Sequence, residues 1–131
     1  MEKFRAWDKR ENTMRDVAVL HFTKGGKVNS IEHWKTPSEL KSYHVRNLVL
    51  MQSTGLKDKN GVEIYEGDIV VNQYGNVGYV AYLQQEVGFV VVLKKSDYRL
   101  GHRNTGESYD VTTNHEVIGN IYENPELLEE K

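Results

Sequence analysis

The stretch VGYVAYLQQEVGFVVVL at residues 77–93 decides the fold class of this chain of 131 residues. Two runs rich in β-branched and aromatic residues, 77–83 and 89–93, flank a polar segment that ends in a glycine. This pattern predicts two antiparallel strands joined by a short connection. The second run is apolar at every position, so both of its faces must be covered. We expect the N-terminal part of the chain, or another copy of the protein, to cover it.

Further short strands are predicted on both sides of this hairpin. Residues 4–7 alternate between apolar and polar as a short edge strand does, and residues 17–22 form a stronger strand. Gly25 and Gly26 supply a tight turn into a third strand at 28–34. A second unit begins near Gly55; it contains the Asn60-Gly61 turn, and strands near 69–71, 111–113 and 117–122 complete it. Residues 94–110 are polar and are predicted to form a long loop.

Two short helices are predicted at the margins. Thr36-Pro37-Ser38-Glu39 matches a capping box with proline at the first helical position, and an apolar strand at 45–51 follows. Asn124 and Pro125 start a short acidic helix at the C-terminus. We therefore predict a mainly β protein with an N-terminal β-rich subdomain at 1–50. Its C-terminal part, 51–131, is predicted to be a small barrel or curled sheet that ends in the short helix.

Composition excludes several classes of function. The formal net charge is −2, and the chain has no cysteine, which excludes disulfides, thiolate nucleophiles and cysteine-ligated zinc. No apolar run approaches the length of a membrane span, so we expect a soluble, cytoplasmic protein. Residues 1–59 hold twelve Lys or Arg against seven Asp or Glu, a net of +5, and residues 60–131 hold five against twelve, a net of −7. This asymmetry predicts either docking between complementary charges or a basic surface for nucleic acid.

Three segments resemble one known family. They are KFRAWDKRENTM at 3–14, LMQSTGLKDKNGVEIYEGDIV at 50–70 and EVIGNIYENPELL at 116–128, and together they resemble the YopX family of phage and prophage proteins. The resemblance implies a bacteriophage or prophage origin in a Gram-positive host. It also implies a C-terminal barrel of SH3 type behind a smaller N-terminal part. It implies no catalytic residues, because the family has no established biochemical activity.

No set of residues in the sequence forms a convincing catalytic or metal site. The Asp58–Glu66 stretch fails the register of a calcium-binding EF-hand loop, which makes a hairpin turn the better interpretation. Glu63, Glu66 and Asp68 are the remaining carboxylates for a magnesium site or acid–base chemistry, and acids before a strand are usually turn residues. The five histidines show no metal-binding spacing. We therefore predict a protein that is not an enzyme and has no metal or other cofactor.

Binding remains as the predicted mode of action, with two alternative surfaces. The favoured one is a protein-binding or self-assembling surface on the C-terminal barrel, where tyrosines suit an interface. Its candidate residues are Tyr74, Tyr82, Tyr98 and Arg103. The alternative is a nucleic-acid-binding surface on the basic N-terminal half, where aromatic and cationic side chains would contact a single strand. Its candidate residues are Arg5, Trp7, Lys9, Trp34 and Lys35.

Overall fold

The computed structural model describes residues 3–84, 88–93, 108–110 and 114–129. The described chain is mainly β, with antiparallel sheets and only two single turns of 3-10 helix, as the sequence predicts. It divides into two compact units, unit 1 (Met1–Ser53) and unit 2 (Thr54–Lys131). None of the helices in the described ranges has the length and apolar character needed to cross a membrane.

Unit 1 is an antiparallel sheet in the order β4-β3-β2-β1-β5. Its strands are β1 (Phe4–Asp8), β2 (Thr13–Phe22), β3 (Val28–Thr36), β4 (Glu39–His44) and the first part of β5 (Leu48–Lys57). One face of this sheet carries the core, in which Ala6, Ile31 and Leu48 are buried and Leu20 and Leu50 pack against them. Burial of this apolar face is the main stabilising term for the unit.

Two predictions for unit 1 are wrong. Strand β1 is not at an edge, because it pairs with β2 on one side and with β5 on the other. Residues 39–44 form strand β4 and not a helix, since Thr36 pairs with Glu39 and leaves a two-residue turn at Pro37 and Ser38. A helix of two turns is marginal by itself, so pairing with the long strand β3 overrides the local capping signal. The helical turn that does form lies later, at Val45–Asn47.

Unit 2 contains a five-stranded antiparallel sheet in the order β10-β9-β8-β7-β11. These strands are β7 (Asp68–Val71), β8 (Val77–Leu83), β9 (Gly88–Leu93), β10 (Ser108–Asp110) and β11 (Glu116–Asn120). The short strand β6 (Glu63–Tyr65) precedes them and lies beside β5 in the other sheet. Ile64, Val70, Val80 and Val91 form the buried core of this unit. No closed barrel is present among the strand pairings of the described residues.

The β8–β9 hairpin confirms the strongest prediction from the sequence. Its register runs from Gly78 opposite Leu93 to Leu83 opposite Gly88. The neighbouring residues Val90 and Val91 point to opposite faces, and they are 3% and 0% exposed. Both faces of β9 are therefore covered within one chain, and a second copy is not needed for that purpose.

The structure differs from the prediction at the polar loop and at the C-terminal helix. Strand β10 occupies the end of the 94–110 segment, and the preceding residues, like the predicted strand at 111–113, lie outside the described ranges. At the C-terminus Pro125–Leu128 form one turn of 3-10 helix. Asn124 precedes this turn but does not cap it with its side chain, which instead accepts a hydrogen bond from the Asn120 N–H at 3.2 Å.

Candidate functional site

Asp58 holds the turn between β5 and β6 and links it to β11. Its Oδ1 accepts hydrogen bonds from the backbone N–H groups of Asn60 and Val62, each at 2.8 Å. Its Oδ2 accepts from the N–H of Val117 at 2.9 Å. Burial by itself would raise the pKa of this carboxyl, but the three donors and nearby Lys59 lower it below its ordinary value. All of these partners are structural, so Asp58 is not placed for catalysis.

Asp8 has the same role in the turn between β1 and β2. It is fully buried, and its Oδ1 accepts from the N–H groups of Arg10 at 3.0 Å and Glu11 at 3.3 Å. Its Oδ2 accepts from the Arg15 guanidinium at 3.3 Å. Burial opposes ionisation here too, yet the two N–H groups and Arg15 leave the pKa of Asp8 below its ordinary value. The side chain is therefore an ionised cap for the turn.

Two further polar side chains repeat this arrangement. Asp68 is 1% exposed and accepts from the N–H of Tyr65 at 2.7 Å. Asn120 accepts from the N–H groups of Tyr122 and Glu123 at 3.0 and 2.8 Å. Each of the three segments that resemble the YopX family thus carries at least one buried side chain that caps a turn. The buried polar side chains of these segments stabilise turns of the fold by accepting backbone N–H groups.

The carboxylates considered for a metal site do not form one in the described part of the chain. Of Glu63, Glu66 and Asp68, the last is buried and bonded to the backbone. No group of three or more His, Asp or Glu side chains within the described ranges is placed to hold a metal ion.

The tyrosines predicted for a protein-binding surface are spread along unit 2. Tyr74 is 78% exposed in the turn between β7 and β8, where the Asn72 side chain accepts its N–H at 2.9 Å. Tyr82 is 43% exposed near the far end of β8 and contacts Phe89 edge-to-face with the ring centroids 5.3 Å apart. The two tyrosines lie at opposite ends of one strand and do not form a single patch. The other two candidates, Tyr98 and Arg103, lie outside the described residues.

The residues predicted for nucleic-acid binding lie on two strands that are not neighbours. Arg5 and Trp7 are in β1 with Lys9 directly after it, Trp34 and Lys35 are in β3, and β2 lies between the two strands. Trp7 is only 9% exposed, so its ring offers no face to a base. Trp34 is 47% exposed and is the one tryptophan of the two that is accessible in the described structure.

Trp34 is part of an apolar patch on the outer strands of unit 1. It lies directly opposite Leu40 in the β3–β4 register, and Val19 lies opposite Glu32, two residues before Trp34. Opposite residues and residues two apart share a face of a sheet, so the three side chains lie on one face. Val19, Trp34 and Leu40, hereafter the hairpin patch, are 38%, 47% and 40% exposed.

Strand β4 also presents a sheet edge beside this patch. It pairs with β3 on one side and is the terminal strand in the order of the sheet that the structure describes. An exposed edge with an accessible tryptophan favours contact with another protein. Leu40 was not predicted as a surface residue, because a short helix was predicted after Thr36, and Val19 was predicted to lie in a strand without an assigned face. The local sequence gives no clear strand signal, because the two apolar residues of Glu39–His44, Leu40 and Tyr43, are three positions apart and do not alternate.

These features define a β protein with two antiparallel sheets, in which buried polar side chains of the described residues cap the turns. A family model described as YopX protein matches residues 3–129, and the chain belongs to this family. The prediction from the three sequence segments is therefore confirmed.

Two solved structures are similar over almost the whole chain. One is the crystal structure of protein EF1440 from Enterococcus faecalis, with 32% identity and a TM-score of 0.64, covering 98% of this chain and 99% of the other. The second is the crystal structure of protein YopX from Bacillus subtilis, with 23% identity and a TM-score of 0.61, covering 97% and 98%. A comparison with functionally curated proteins gave no match.

Proposed function

We propose that this protein is a non-catalytic accessory protein of a phage or prophage that acts in the bacterial cytoplasm by binding a protein partner or a second copy of itself. The hairpin patch carries this proposal. It combines three accessible apolar side chains with a sheet edge, whereas the buried acids of the described residues are used as turn caps. Such a surface suits the addition of a strand from a partner, with Trp34 as the anchoring side chain.

The expected contribution of Trp34 follows from its exposure. At 47% exposure, it has on the order of 100 Å² of surface left to bury in a complex. At about 25 cal/mol per Å² this corresponds to about 2.5 kcal/mol. Truncation to alanine should therefore weaken binding on the order of 50-fold.

A pull-down with tagged protein from host cells during prophage induction tests this proposal. The double variant Trp34→Ala, Leu40→Ala should lose the proteins that the wild type retains after nuclease treatment. Tyr74→Ala is the comparison variant for the alternative surface, since it removes an aromatic side chain that is 78% exposed in unit 2. If Tyr74→Ala lost these partner proteins and the double variant retained them, the binding surface would lie at the tyrosines of unit 2 and not at the hairpin patch. Sedimentation at high concentration separates self-association from binding of a different protein.

For unit 2 we retain an SH3-type barrel as a proposal. Its support is the antiparallel sheet of five short strands with tight turns. In that case Tyr74 and Tyr82 would be two separate contact points towards the two ends of β8, and Tyr98 and Arg103 stay candidates for the same role. Simultaneous substitution of Tyr98 and Arg103 by alanine, with every recovered partner still bound, would remove those two residues from the interface.

Nucleic-acid binding is the second candidate, and the charge of unit 1 favours it. Residues 1–53 hold ten Lys or Arg against six Asp or Glu, a net of +4, and Trp34 beside Lys35 is accessible. Binding of a fluorescent single-stranded oligonucleotide should then weaken steeply with salt, because phosphate contacts release counterions. Affinity that does not change between low and moderate salt would exclude this candidate.

A further inference from the structure

Four side chains from neighbouring segments of unit 1 gather around one tyrosine. The cluster consists of Arg10 from the β1–β2 turn, Arg15 from β2, His33 from β3, and Lys41 and Tyr43 from β4. Relative to the centre of the Tyr43 ring, the Arg10 Cζ lies at 4.9 Å, the Lys41 Nζ at 5.3 Å and the Arg15 Cζ at 5.8 Å. The His33 ring stacks on the same tyrosine with its centroid 5.0 Å away. We call this group the Tyr43 cluster.

The cations of the Tyr43 cluster are only partly neutralised. Arg15 forms ion pairs with Asp8 at 3.3 Å and with Glu11. Arg10 and Lys41 have no carboxylate within 4.0 Å among the described residues. Like charges held around one ring repel each other, and an anion between them would relieve that repulsion.

His33 is an independent indication that the cluster can bind a ligand. Its side chain is 1% exposed, and neither of its ring nitrogens has a hydrogen-bond partner in the described structure. Buried polar groups in proteins are nearly always hydrogen-bonded, because an unpaired one is costly. A neutral or protonated imidazole can donate to an anionic oxygen. A buried histidine with unpaired ring nitrogens, next to two cations that have no carboxylate within 4.0 Å among the described residues, therefore favours an anion-binding role for this cluster.

We propose that the Tyr43 cluster is a binding site for a phosphate group. Guanidinium groups pair with phosphate oxygens in a bidentate manner, and a lysine ammonium adds a mobile point charge. The Tyr43 hydroxyl and a ring N–H of His33 add further hydrogen-bond donors. The phosphate belongs to a free phosphate compound, such as a nucleotide, or to the backbone of a single strand, and the chemistry at the protein is the same for both. This site does not depend on the hairpin patch, so its failure would leave the proposed protein binding untouched.

NMR titration of the full-length protein tests the site directly. Inorganic phosphate, a nucleoside 5′-monophosphate and a short oligothymidylate are each added at constant ionic strength, while the ring signals of His33 and Tyr43 are followed. Saturable shifts of these signals with at least one of the three are expected. The absence of any saturable shift with all three would overturn the proposal.

Paired variants show whether the cluster is responsible. Arg10→Ala with Lys41→Ala should weaken binding at least tenfold, since both cations are exposed at the cluster and their removal leaves the core intact. Lys24→Ala with Lys27→Ala is the control, because it removes the same charge from the exposed β2–β3 turn and should change affinity by less than twofold. If both double variants weakened binding equally, the binding would depend only on the net positive charge of the protein, and the proposed site would be refuted. Tighter binding of the oligonucleotide than of the mononucleotide would identify a strand as the source, and equal affinity would identify the free compound.

Discussion

Substitution of Asp58 by alanine should destabilise unit 2 more than any other change at a polar turn residue. The carboxylate is 5% exposed and accepts three backbone N–H groups, of which the one from Val117 lies 59 residues away in sequence. Alanine removes all three bonds at once. The N–H groups of the exposed residues Asn60 and Val62 can then bond to water. Val117 is only partly accessible, so its N–H stays poorly solvated.

The magnitude follows from these three bonds. An unsatisfied buried donor costs about 1–3 kcal/mol, and the lost bonds to a charged acceptor add about 1 kcal/mol after water replaces them. We therefore expect the free energy of unfolding to fall by about 3 kcal/mol. For a chain of this size that corresponds to a decrease in Tm of about 10 °C. Asp58→Asn keeps one acceptor oxygen and should lose roughly half as much.

Thermal and urea denaturation of the two variants provide the measurement. Asp16→Ala is the control, because Asp16 is exposed on β2 and its removal changes the net charge equally. The control should stay within about 0.5 kcal/mol of the wild type. If Asp58→Ala were no more destabilising than Asp16→Ala, the proposed link between the turn and β11 would be wrong.

Three further predictions concern acid, packing and the hairpin patch. The pKa of the Asp8 and Asp58 carboxyls is lowered by folding from ordinary values near 3.8, so their stabilisation is complete at neutral pH. This stabilisation is lost as the pH falls below about 4. In an acid titration the free energy of unfolding of Asp58→Ala should therefore approach that of the wild type. A constant difference in that free energy down to pH 2 would contradict this prediction. Gly78→Ala places a Cβ 2.6 Å from the Val92 carbonyl oxygen and should cost about 1–3 kcal/mol by urea denaturation, whereas a neutral effect would show that β8 and β9 readily separate. Trp34→Ala should leave Tm within about 2 °C of the wild type, since the ring is half exposed, and a larger loss would give Trp34 a structural role.

Short sequence patterns correctly predicted the hairpin and the turn that depend on neighbouring residues in the chain. The β8–β9 hairpin follows from two β-branched runs, and the Asn60-Gly61 turn follows from a glycine with a φ of +83°. The helix predicted after Thr36 failed because its signal was also local, while pairing of Glu39–His44 with β3 is a tertiary effect. The central position of β1 likewise depends on β5, which lies more than forty residues later in the chain.

The candidate site was less predictable for the same reason. The exposure of Tyr74 follows from its position in a polar turn, but the burial of Trp7 is a tertiary effect that the local sequence does not show. The Tyr43 cluster joins four successive segments whose side chains meet only when the strands pair. Nothing in the spacing of Arg10, His33 and Lys41 indicates this meeting.

Hydrogen–deuterium exchange tests the central claim, that the protein acts through the outer strands of unit 1, most directly. Exchange is measured for the free protein and for the complex recovered by pull-down. We expect the outward-facing amides of β4, Glu39–His44, to become protected in the complex, because a partner then occupies the sheet edge. Unchanged exchange in β4 together with new protection confined to unit 2 would contradict it.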